Sequence, residues 1–284
     1  MRGAFIIPLM LVSFSSQAAE RPRIFVHGHR GARARLPENT LPAFEYAIGQ
    51  GVDALEMDMA VTSDNVIVIS HDPILHGPVC TLAGHESAVI HQLSLAEVRQ
   101  WDCGAVQNPG FPQQRTVAGT RMPTLDDVFQ LAGRGSFAYN IETKSFPDHP
   151  EYTPAPGDFA RMVLDKIRQY RLEKRVILQS FDFRTLLAMR KLAPEIRLSA
   201  LTETDSREFA AIAKDAGRAE IVSPELHLVT PAKVAAAHAA GLQVVPWTAD
   251  SLKDWDKLID AKVDAIITDD PAALIAHLKS RGLR

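Results

Sequence analysis

An α/β barrel of eight parallel strands with outer helices is the fold class that the sequence predicts. Short β-branched segments alternate with helical segments of about ten to fifteen residues, a spacing typical of a parallel sheet covered by helices. The chain has 284 residues. A barrel of this kind commonly needs about 250 residues, so one large domain accommodates most of the chain. We therefore predict a (β/α)8 TIM barrel with a β-hairpin excursion after its second strand and a long loop insertion.

Nine segments have the composition and length of strands, and most of them are separated by a helical segment. Several helices carry clear boundary signals, such as Thr230-Pro231 at the start of one and Gly241 at its end. The predicted strands are Ile24–Val26, Ala54–Met59, Val66–Ser70, Ala138–Glu142, Val176–Ser180, Arg197–Leu201, Glu220–Ser223, Gln243–Trp247 and Asp264–Thr268. The predicted helices are Phe159–Tyr170, Thr185–Leu192, Ser206–Ala216, Pro231–Ala240, Leu252–Ala261 and Ala272–Lys279, with Leu125–Ala132 assigned to follow the second strand.

The third predicted strand cannot belong to the barrel, because apolar residues continue the second strand as Ala54–Val61 and only residues 62–65 then separate the two strands. A parallel crossover needs about a dozen residues, so this connection is a hairpin and its two strands are antiparallel. With the turn centred near Ser63-Asp64, position i lies opposite roughly 127 − i. Where the pairing persists that far, this register places His71 level with Glu56, at about 5 Å between Cα atoms. Eight strands then remain for the barrel.

The N-terminal segment differs from the rest of the chain and has the features of a secretory signal. Arg2 is followed by an apolar run from Ala4 to Val12 that is too short to span a bilayer, and then by small and polar residues as far as Ala19. We predict that residues 1–19 are cleaved, and that residues 20–284 are one secreted or periplasmic barrel domain. The alternative is a buried N-terminal helix, which Pro8 would interrupt.

The overall charge excludes two classes of partner. The chain carries 31 Lys and Arg residues against 34 Asp and Glu residues, for a net charge of −3. This balance offers no basic stripe for nucleic acid and no polybasic membrane anchor. We therefore expect no nucleic-acid partner and no stable membrane anchor, while the oligomeric state stays open.

Residues 73–123 break the alternation of strands and helices. They are rich in Gly, Pro and polar residues, and they contain one predicted short helix, Ser94–Gln100. Cys80 and Cys103 both lie here and would meet an oxidising compartment after export, so we predict a disulfide between them that closes a loop insertion. Two buried free thiols are the alternative, and the lack of a C-x-x-C pattern disfavours a zinc site.

Acidic residues concentrate at the carboxyl ends of the strands, where barrel active sites lie. Glu56 and Asp58 are two apart in a strand, so both side chains face the same way. Two adjacent carboxylates repel each other unless a cation lies between them, and all-oxygen ligands suit Mg²⁺ or Ca²⁺ better than zinc. Glu142, at the end of the next barrel strand, would be the third ligand. The alternative is that one acid simply pairs with Lys144 or Arg30.

Two histidines reach the same end of the predicted barrel. His29 follows the first strand, and the hairpin returns His71 to the carboxylate pair. One imidazole can take a proton from an attacking hydroxyl while the other protonates a leaving alkoxide. A metal ion, Arg30 and Lys144 would neutralise charge on phosphoryl oxygens. This set favours phosphodiester hydrolysis, and the sequence has none of the G-x-S-x-G, Walker, G-x-G-x-x-G or H-E-x-x-H motifs of competing chemistries.

Short motifs spread over nearly the whole mature chain resemble those of the glycerophosphodiester phosphodiesterase family. Each motif is weak alone, but together, in the family's order, they are highly specific. They are His29-Arg30-Gly31-Ala32, Pro37-Glu38-Asn39-Thr40, Glu56-x-Asp58, Thr62-x-Asp64, His71-Asp72, Asn140-Ile141-Glu142-x-Lys144, Ser180-Phe181, Trp247-Thr248 and Thr268-Asp269.

The resemblance implies a barrel hydrolase that uses a divalent metal to cleave glycerophosphodiesters into sn-glycerol 3-phosphate and an alcohol. Two alternatives stay open. A lysophospholipase D-like phosphodiesterase on the same fold would need an apolar groove at the barrel mouth. A non-catalytic exported phosphodiester-binding protein would not need an acid–base pair. By the resemblance, the general acid–base pair is His29 and His71, the metal ligands are Glu56, Asp58 and Glu142, the phosphate contacts are Arg30 and Lys144, and Trp247 forms an aromatic wall beside the glycerol.

Overall fold

A ring of eight parallel strands is the central feature of the computed structural model, which describes residues 23–284. Three further short strands in this part of the chain lie outside the ring. In chain order the strands are β1 (Phe25–Gly28), β2 (Ala54–Val61), β3 (Ile67–Ile69), β4 (Ile74–His76), β5 (Ser87–Val89), β6 (Ala138–Thr143), β7 (Val176–Ser180), β8 (Arg197–Thr202), β9 (Ile221–Pro224), β10 (Gln243–Val244) and β11 (Ala265–Thr268).

The ring runs in the order β10, β9, β8, β7, β6, β2, β1 and β11, with parallel pairing throughout. Its two ends are joined by backbone hydrogen bonds, from Asp264 N to Val244 O and from Ile267 N to Pro246 O, both 3.0 Å long. The predicted (β/α)8 barrel is therefore confirmed. All the loops that follow its strands open at one end of the ring, and that end carries the site described below.

Helices separate the successive barrel strands and bury their apolar faces against the outside of the ring. Helix α1 was not among the predicted helices, although its boundaries are marked: a proline lies in its first turn, and Gly51 ends it with a left-handed φ of 85°. The helices are α1 (Leu41–Gln50), α2 (Leu95–Val98), α3 (Leu125–Phe129), α4 (Pro156–Tyr170), α5 (Phe183–Leu192), α6 (Phe209–Asp215), α7 (Pro231–Ala239), α8 (Leu252–Asp260) and α9 (Pro271–Ser280).

Strand β3 pairs antiparallel with the end of β2 and lies outside the ring, which confirms the predicted hairpin excursion. The predicted register is wrong by one residue, because Met59 lies opposite Ile69. The hairpin closes where Thr62 N donates to Val66 O at 3.0 Å, so its loop has an odd number of residues. Asn65 takes a left-handed φ of 60° at the end of this loop, as three-residue hairpin loops commonly require.

The predicted route by which His71 reaches the site is also wrong. The β2–β3 ladder ends at Ile69, so the pairing does not carry His71 to a point level with Glu56. Beyond the ladder, Ser70 N donates to Asp58 O at 2.9 Å, and Ser70 Oγ donates to Asp72 O at 2.9 Å. The chain bends at these residues, and His71 enters the barrel mouth from the bend.

Residues 73–123 form a small unit that rests on the hairpin. Strands β4 and β5 pair antiparallel within it, and α2 follows them. Its apolar side chains form a cluster separate from the barrel core, and Ala60 and Val68 of the hairpin belong to that cluster. Cys80 and Cys103 are joined by a disulfide in the same cluster, as predicted. We refer to residues 73–123 below as the insertion.

The predicted signal segment, residues 1–19, lies outside the described residues, and its cleavage stays a prediction. Within residues 23–284, no helix is both long enough and apolar enough to cross a membrane.

We expect the disulfide to stabilise the insertion. The two cysteines are 23 residues apart, and closing a loop of that length lowers the entropy of the unfolded chain, an effect of about 3 kcal/mol. The double variant Cys80→Ser/Cys103→Ser should unfold at lower urea concentration and be cut by protease within residues 73–123. Equal denaturation midpoints and equal protease resistance for the two proteins would contradict this expectation.

A buried histidine inside the barrel makes stability depend on pH. His27 is 6% exposed, and burial lowers its pKa to about 4, while Asn140 Nδ2 donates to its neutral ring at 3.4 Å. The unfolded chain takes up this proton below about pH 6.5 and the folded chain only below about pH 4, so stability is lost as pH falls through that window. We expect His27 to account for about 3 kcal/mol of that loss. Urea titrations at several pH values measure this effect. The free energy of unfolding should fall less steeply between about pH 6.5 and pH 4 in His27→Gln than in the unaltered protein.

Candidate active site

A cavity of about 180 Å³ lies at the carboxyl ends of the barrel strands. It brings together all eight side chains that the sequence analysis assigned to catalysis, metal binding or substrate binding. The charged lining residues lie on or after β1, β2 and β6, and the apolar lining residues lie on or after the later strands. The lining residues are His29, Arg30, Arg33, Glu56, Asp58, His71, Glu142, Lys144, Gln179, Phe181, Leu201, Trp247, Thr248 and Ile267.

Three carboxylates form the floor of this cavity. One oxygen from each of Glu56, Asp58 and Glu142 lies within 4.8 Å of the others, and the residues are only 2%, 1% and 5% exposed. Glu56 and Asp58 share a face because side chains alternate along β2. The pairing of β2 with β6 sets Asp58 beside Glu142. The strand register therefore assembles the cluster without any contribution from loops.

Burial and neighbouring charges shift the pKa values of the three acids in different directions. Burial, reinforced by the charge of Asp58, raises the pKa of Glu56 well above its usual value. Burial also raises the pKa of Glu142, against the opposing effect of Lys144. Asp58 keeps its charge, because Lys144, His71 and Arg30 hold its pKa well below the usual range despite burial. The protein surroundings therefore do not by themselves offset the ionisation of all three acids.

This donor set fits a divalent metal ion. All three groups offer oxygen atoms, which suit Mg²⁺ or Ca²⁺, and they converge within the distance that one ion can bridge. Two protein cations compensate only part of the charge: Lys144 Nζ lies 2.9 Å from Glu142 Oε1 and 3.3 Å from Asp58 Oδ1, and Arg30 Nε lies 3.4 Å from Asp58 Oδ2. A bound cation would relieve the remaining repulsion.

Hydrogen bonds fix the orientation of the carboxylates. Gln179 Nε2 donates to Glu56 Oε1 at 2.8 Å, and Arg30 N donates to Glu56 Oε2 at 2.9 Å. Asn39 Nδ2 donates to Asp58 Oδ2 at 2.9 Å. Sequence reasoning did not assign Gln179, although an amide side chain directly after the apolar run 176–178 of a buried strand was a usable signal.

The turn that leaves β1 needs two glycines, one at the end of the strand and one in the β1–α1 loop, to bring its backbone to the site. A Cβ on Gly28 would lie 2.2 Å from Gly31 O, and a Cβ on Gly31 would lie 2.8 Å from the carbonyl carbon of Ala43. Gly31 and Arg30 both have positive φ, 84° and 48°. This tight turn aims the Arg30 N–H at Glu56 and places the Arg30 side chain beside Glu38, whose Oε1 accepts from its Nη1 at 2.6 Å.

His29 is held between an acid and the carboxylate cluster. Its Nδ1 lies 2.5 Å from Asp269 Oδ1, and its Nε2 faces Glu56 Oε2 at 3.9 Å. Burial, with Arg30 and Arg33 nearby, holds the pKa of His29 well below its usual value, so the ring is neutral. An ionised Asp269 only accepts, which leaves the hydrogen on Nδ1 and makes Nε2 the basic atom facing the cavity. Burial raises the pKa of Asp269 to about 6.

His71 has its own orienting acid. Its Nδ1 lies 2.7 Å from Oδ1 of Asp72, and the other oxygen of Asp72 lies 2.9 Å from Nε2 of His76. Hydrogen bonding to His71, supplemented by His76, lowers the pKa of Asp72 below its usual range. Each of the two imidazoles that line the cavity is thus anchored through Nδ1 by a carboxylate, and its Nε2 is left for chemistry.

Trp247 and Phe181 form an aromatic wall at the other side of the cavity. Their rings meet edge to face with centroids 5.5 Å apart, and Trp247 Nε1 donates to Ser223 O at 2.8 Å. Lys144 Nζ lies 5.9 Å from the centre of the Phe181 ring. The cavity therefore has an apolar side after β7, β8 and β10 and a strongly charged side after β1, β2 and β6.

Comparison with known proteins places this geometry in a family. Residues 29–273 match the sequence profile of the "Glycerophosphoryl diester phosphodiesterase family". A glycerophosphodiester phosphodiesterase of Caldanaerobacter subterraneus subsp. tengcongensis is 32% identical over 262 residues, which cover 92% of this chain and 100% of that protein. The chain belongs to the glycerophosphoryl diester phosphodiesterase family. The family resemblance noted in the sequence is thereby confirmed.

Solved structures agree with the glycerophosphoryl diester phosphodiesterase assignment. A putative glycerophosphoryl diester phosphodiesterase from Silicibacter pomeroyi superimposes with a TM-score of 0.85 at 31% identity, covering 92% of this chain and 95% of that one. A phosphodiesterase from Oleispira antarctica, solved in complex with its product sn-glycerol-3-phosphate, shares the fold with a TM-score of 0.76 at 22% identity, covering 90% and 97%. The barrel fold of this chain is therefore shared with these structures.

The carboxylate cluster predicts stabilisation by a divalent cation. Mg²⁺ or Ca²⁺ should raise the melting temperature, because an ion that binds only the folded chain stabilises it by about 2.7 kcal/mol at one hundred times its dissociation constant. Glu142→Gln should reduce the shift, whereas Glu151→Gln, on an exposed residue, should retain it. Thermal melts of the metal-stripped protein measure both. A shift that is the same in Glu142→Gln and in the unaltered protein would place the ion elsewhere.

Proposed function

We propose that this member of the glycerophosphoryl diester phosphodiesterase family hydrolyses glycerophosphodiesters to sn-glycerol 3-phosphate and an alcohol, with Mg²⁺ or Ca²⁺ at the three carboxylates. One observation carries the proposal. Two acid-anchored imidazoles, His29 and His71, flank a buried carboxylate cluster in a single cavity that also holds Arg30 and Lys144. Binding alone would need neither imidazole.

The two histidines divide the proton transfers between them. As the new P–O bond forms, Nε2 of one imidazole takes the proton from the attacking oxygen. As the P–O bond to the alcohol breaks, the other imidazole, protonated, donates its proton to the departing oxygen. Asp269 and Asp72 stabilise the imidazolium of their respective partners and fix which nitrogen faces the cavity. The proton gained by one ring equals the proton lost by the other.

Positive charge around the phosphate comes from this chain and from the ion. Arg30 and Lys144 project into the cavity beside the carboxylates and can contact the phosphoryl oxygens. Glu56, Asp58 and Glu142 would hold the divalent ion, which supplies neutralisation of the charge that develops on those oxygens. The hydrogen bonds from Gln179 and Asn39 keep the ligands in place when the substrate enters.

The aromatic wall suits the glycerol part of the substrate. Trp247 and Phe181 offer ring faces to its carbon atoms, and the hydroxyls can point back toward the charged side of the cavity. The product bound in the Oleispira antarctica phosphodiesterase, sn-glycerol-3-phosphate, is the fragment that this cavity would retain. We assign the wall to glycerol and the charged side to the phosphate and the alcohol.

We also propose that the enzyme is secreted or periplasmic and loses residues 1–19. The apolar run near the N-terminus supports export, and the disulfide between Cys80 and Cys103 suits an oxidising compartment. Mass spectrometry of the exported chain would detect an N-terminus near Glu20 if the proposal holds.

Activity measurements on the purified mature chain test the proposed function. Glycerol 3-phosphate release from a glycerophosphodiester should stop with a chelator and return with Mg²⁺ or Ca²⁺. His71→Gln should lower kcat by about 10²–10⁴-fold, the usual contribution of a positioned acid or base. His85→Gln, on an exposed histidine of the insertion, is the matched control and should be fully active.

Three outcomes would overturn this assignment. Near-normal turnover of His71→Gln would remove the acid–base role. Faster cleavage of a lysophospholipid than of glycerophosphodiesters would favour the lysophospholipase D-like alternative. Tight binding of a glycerophosphodiester without any product would identify a binding protein.

A further inference from the structure

Arg33 is a cation of the cavity that the mechanism above does not use. Its side chain is 20% exposed, and its guanidinium donates no hydrogen bond to any other residue of the described chain. Its Nε lies 3.5 Å from Glu38 and 3.7 Å from Asp269, but each carboxylate is already engaged, by Arg30 and His29 respectively. The terminal Nη groups of Arg33, unlike its buried Nε, are therefore available to a ligand in the cavity.

The insertion holds Arg33 in this position. The ring of Phe111 stacks on its guanidinium, with the central carbon 4.5 Å from the ring centre. Gln114 Nε2 donates to the Arg33 carbonyl at 2.8 Å, and Arg115 N donates to the carbonyl of Arg35 at 2.9 Å. Residues 107–115 thus clamp the β1–α1 loop from outside the barrel, and we call them the clamp segment. A guanidinium fixed by stacking and backbone contacts loses little entropy when it binds an anion.

Arg33 lies on the side of the cavity away from the aromatic wall. Phe181 follows β7, three strands from β1 in the ring. Trp247 follows β10, closer to β1, but its ring leans toward β9, where Nε1 donates to Ser223 O and the ring meets Phe181. Arg33 follows β1 and faces the clamp segment. If glycerol occupies the wall and phosphate lies over the carboxylates, the alcohol extends away from the wall, toward the side of the cavity that Arg33 lines. This step rests on the proposed function.

The other charged groups on the alcohol side are already paired. Asp72 is shared by His71 and His76, and Glu38 is bound to Arg30. Both oxygens of Asp72 are thus occupied by hydrogen bonds, and Glu38 lies between two arginines, so neither carboxylate is well placed to bind a cationic alcohol. The guanidinium of Arg33 is consequently the charge that an incoming alcohol meets, and its planar N–H groups match a carboxylate.

We propose that Arg33 is a specificity-determining residue that reads the charge of the leaving alcohol, favouring alcohols that carry an anionic group over alcohols that carry only a cation. The clamp segment is the part of the insertion that sets this preference. Substrates that end in a carboxylate-bearing alcohol therefore form the favoured class.

Two substrates that differ by one carboxylate test the proposal. Glycerophosphoserine and glycerophosphoethanolamine share the same ammonium group, and only the first carries a carboxylate. We expect kcat/KM to favour glycerophosphoserine by at least about tenfold, the size of a modest charge-assisted hydrogen bond. In Arg33→Gln this ratio should fall to within about twofold, chiefly by loss of activity on glycerophosphoserine. Phe111→Leu, which removes the stacking partner, should give an intermediate ratio.

Arg121→Gln is the matched control, because it removes the same charge from an exposed arginine of the insertion whose Nη1 donates to Gln100 O. It should keep the substrate ratio of the unaltered enzyme. Equal losses on both substrates in Arg33→Gln would show a phosphate contact and overturn the proposal, as would an unaltered enzyme with no preference between them. A failure of the unaltered enzyme to hydrolyse either substrate would instead overturn the proposed function. Melting temperatures establish that each variant is folded.

Discussion

Mutual repulsion among three buried carboxylates is the constraint on which the rest of this site depends. Glu56, Asp58 and Glu142 are brought together by strand register alone, so their proximity is fixed as soon as the barrel closes. Burial in a low-dielectric interior makes that arrangement costly unless positive charge and hydrogen-bond donors converge on it. The loops at this end of the barrel supply Arg30, Lys144 and several donors, and a divalent ion would complete the compensation.

The same requirement explains why the β1–α1 loop follows such a contracted path. Its backbone must approach Glu56 closely enough for a peptide N–H to bind the carboxylate, and only glycines at positions 28 and 31 leave room for that approach. The turn then presents His29 and Arg30 side by side. The hydrogen bond to Glu56 and the placement of His29 are therefore consequences of one local conformation.

Local patterns in the sequence were sufficient for the barrel and for the residue types at its mouth. The alternation of strands and helices can be recognised from neighbouring residues alone. The same is true of two acids that share one face of a strand. The hairpin register depended on the left-handed Asn65 within a loop of odd length, which spacing alone does not reveal. The pairing of His29 with Asp269 joins residues 240 positions apart, and the exposure of Arg33 to the cavity depends on Phe111 of the insertion. Such contacts exist only once the chain has folded.

The insertion leaves and rejoins the barrel at nearly the same point, since Ile69 N donates to Pro123 O at 2.9 Å just before the bend that begins it. A segment whose ends are adjacent can lengthen or shorten with little effect on the strands that carry it. Its core is separate from that of the barrel, yet its clamp segment reaches the rim of the cavity. Relatives could therefore exchange this one segment in evolution. Such an exchange would change which substrates bind and would leave the carboxylates and histidines of the barrel unchanged.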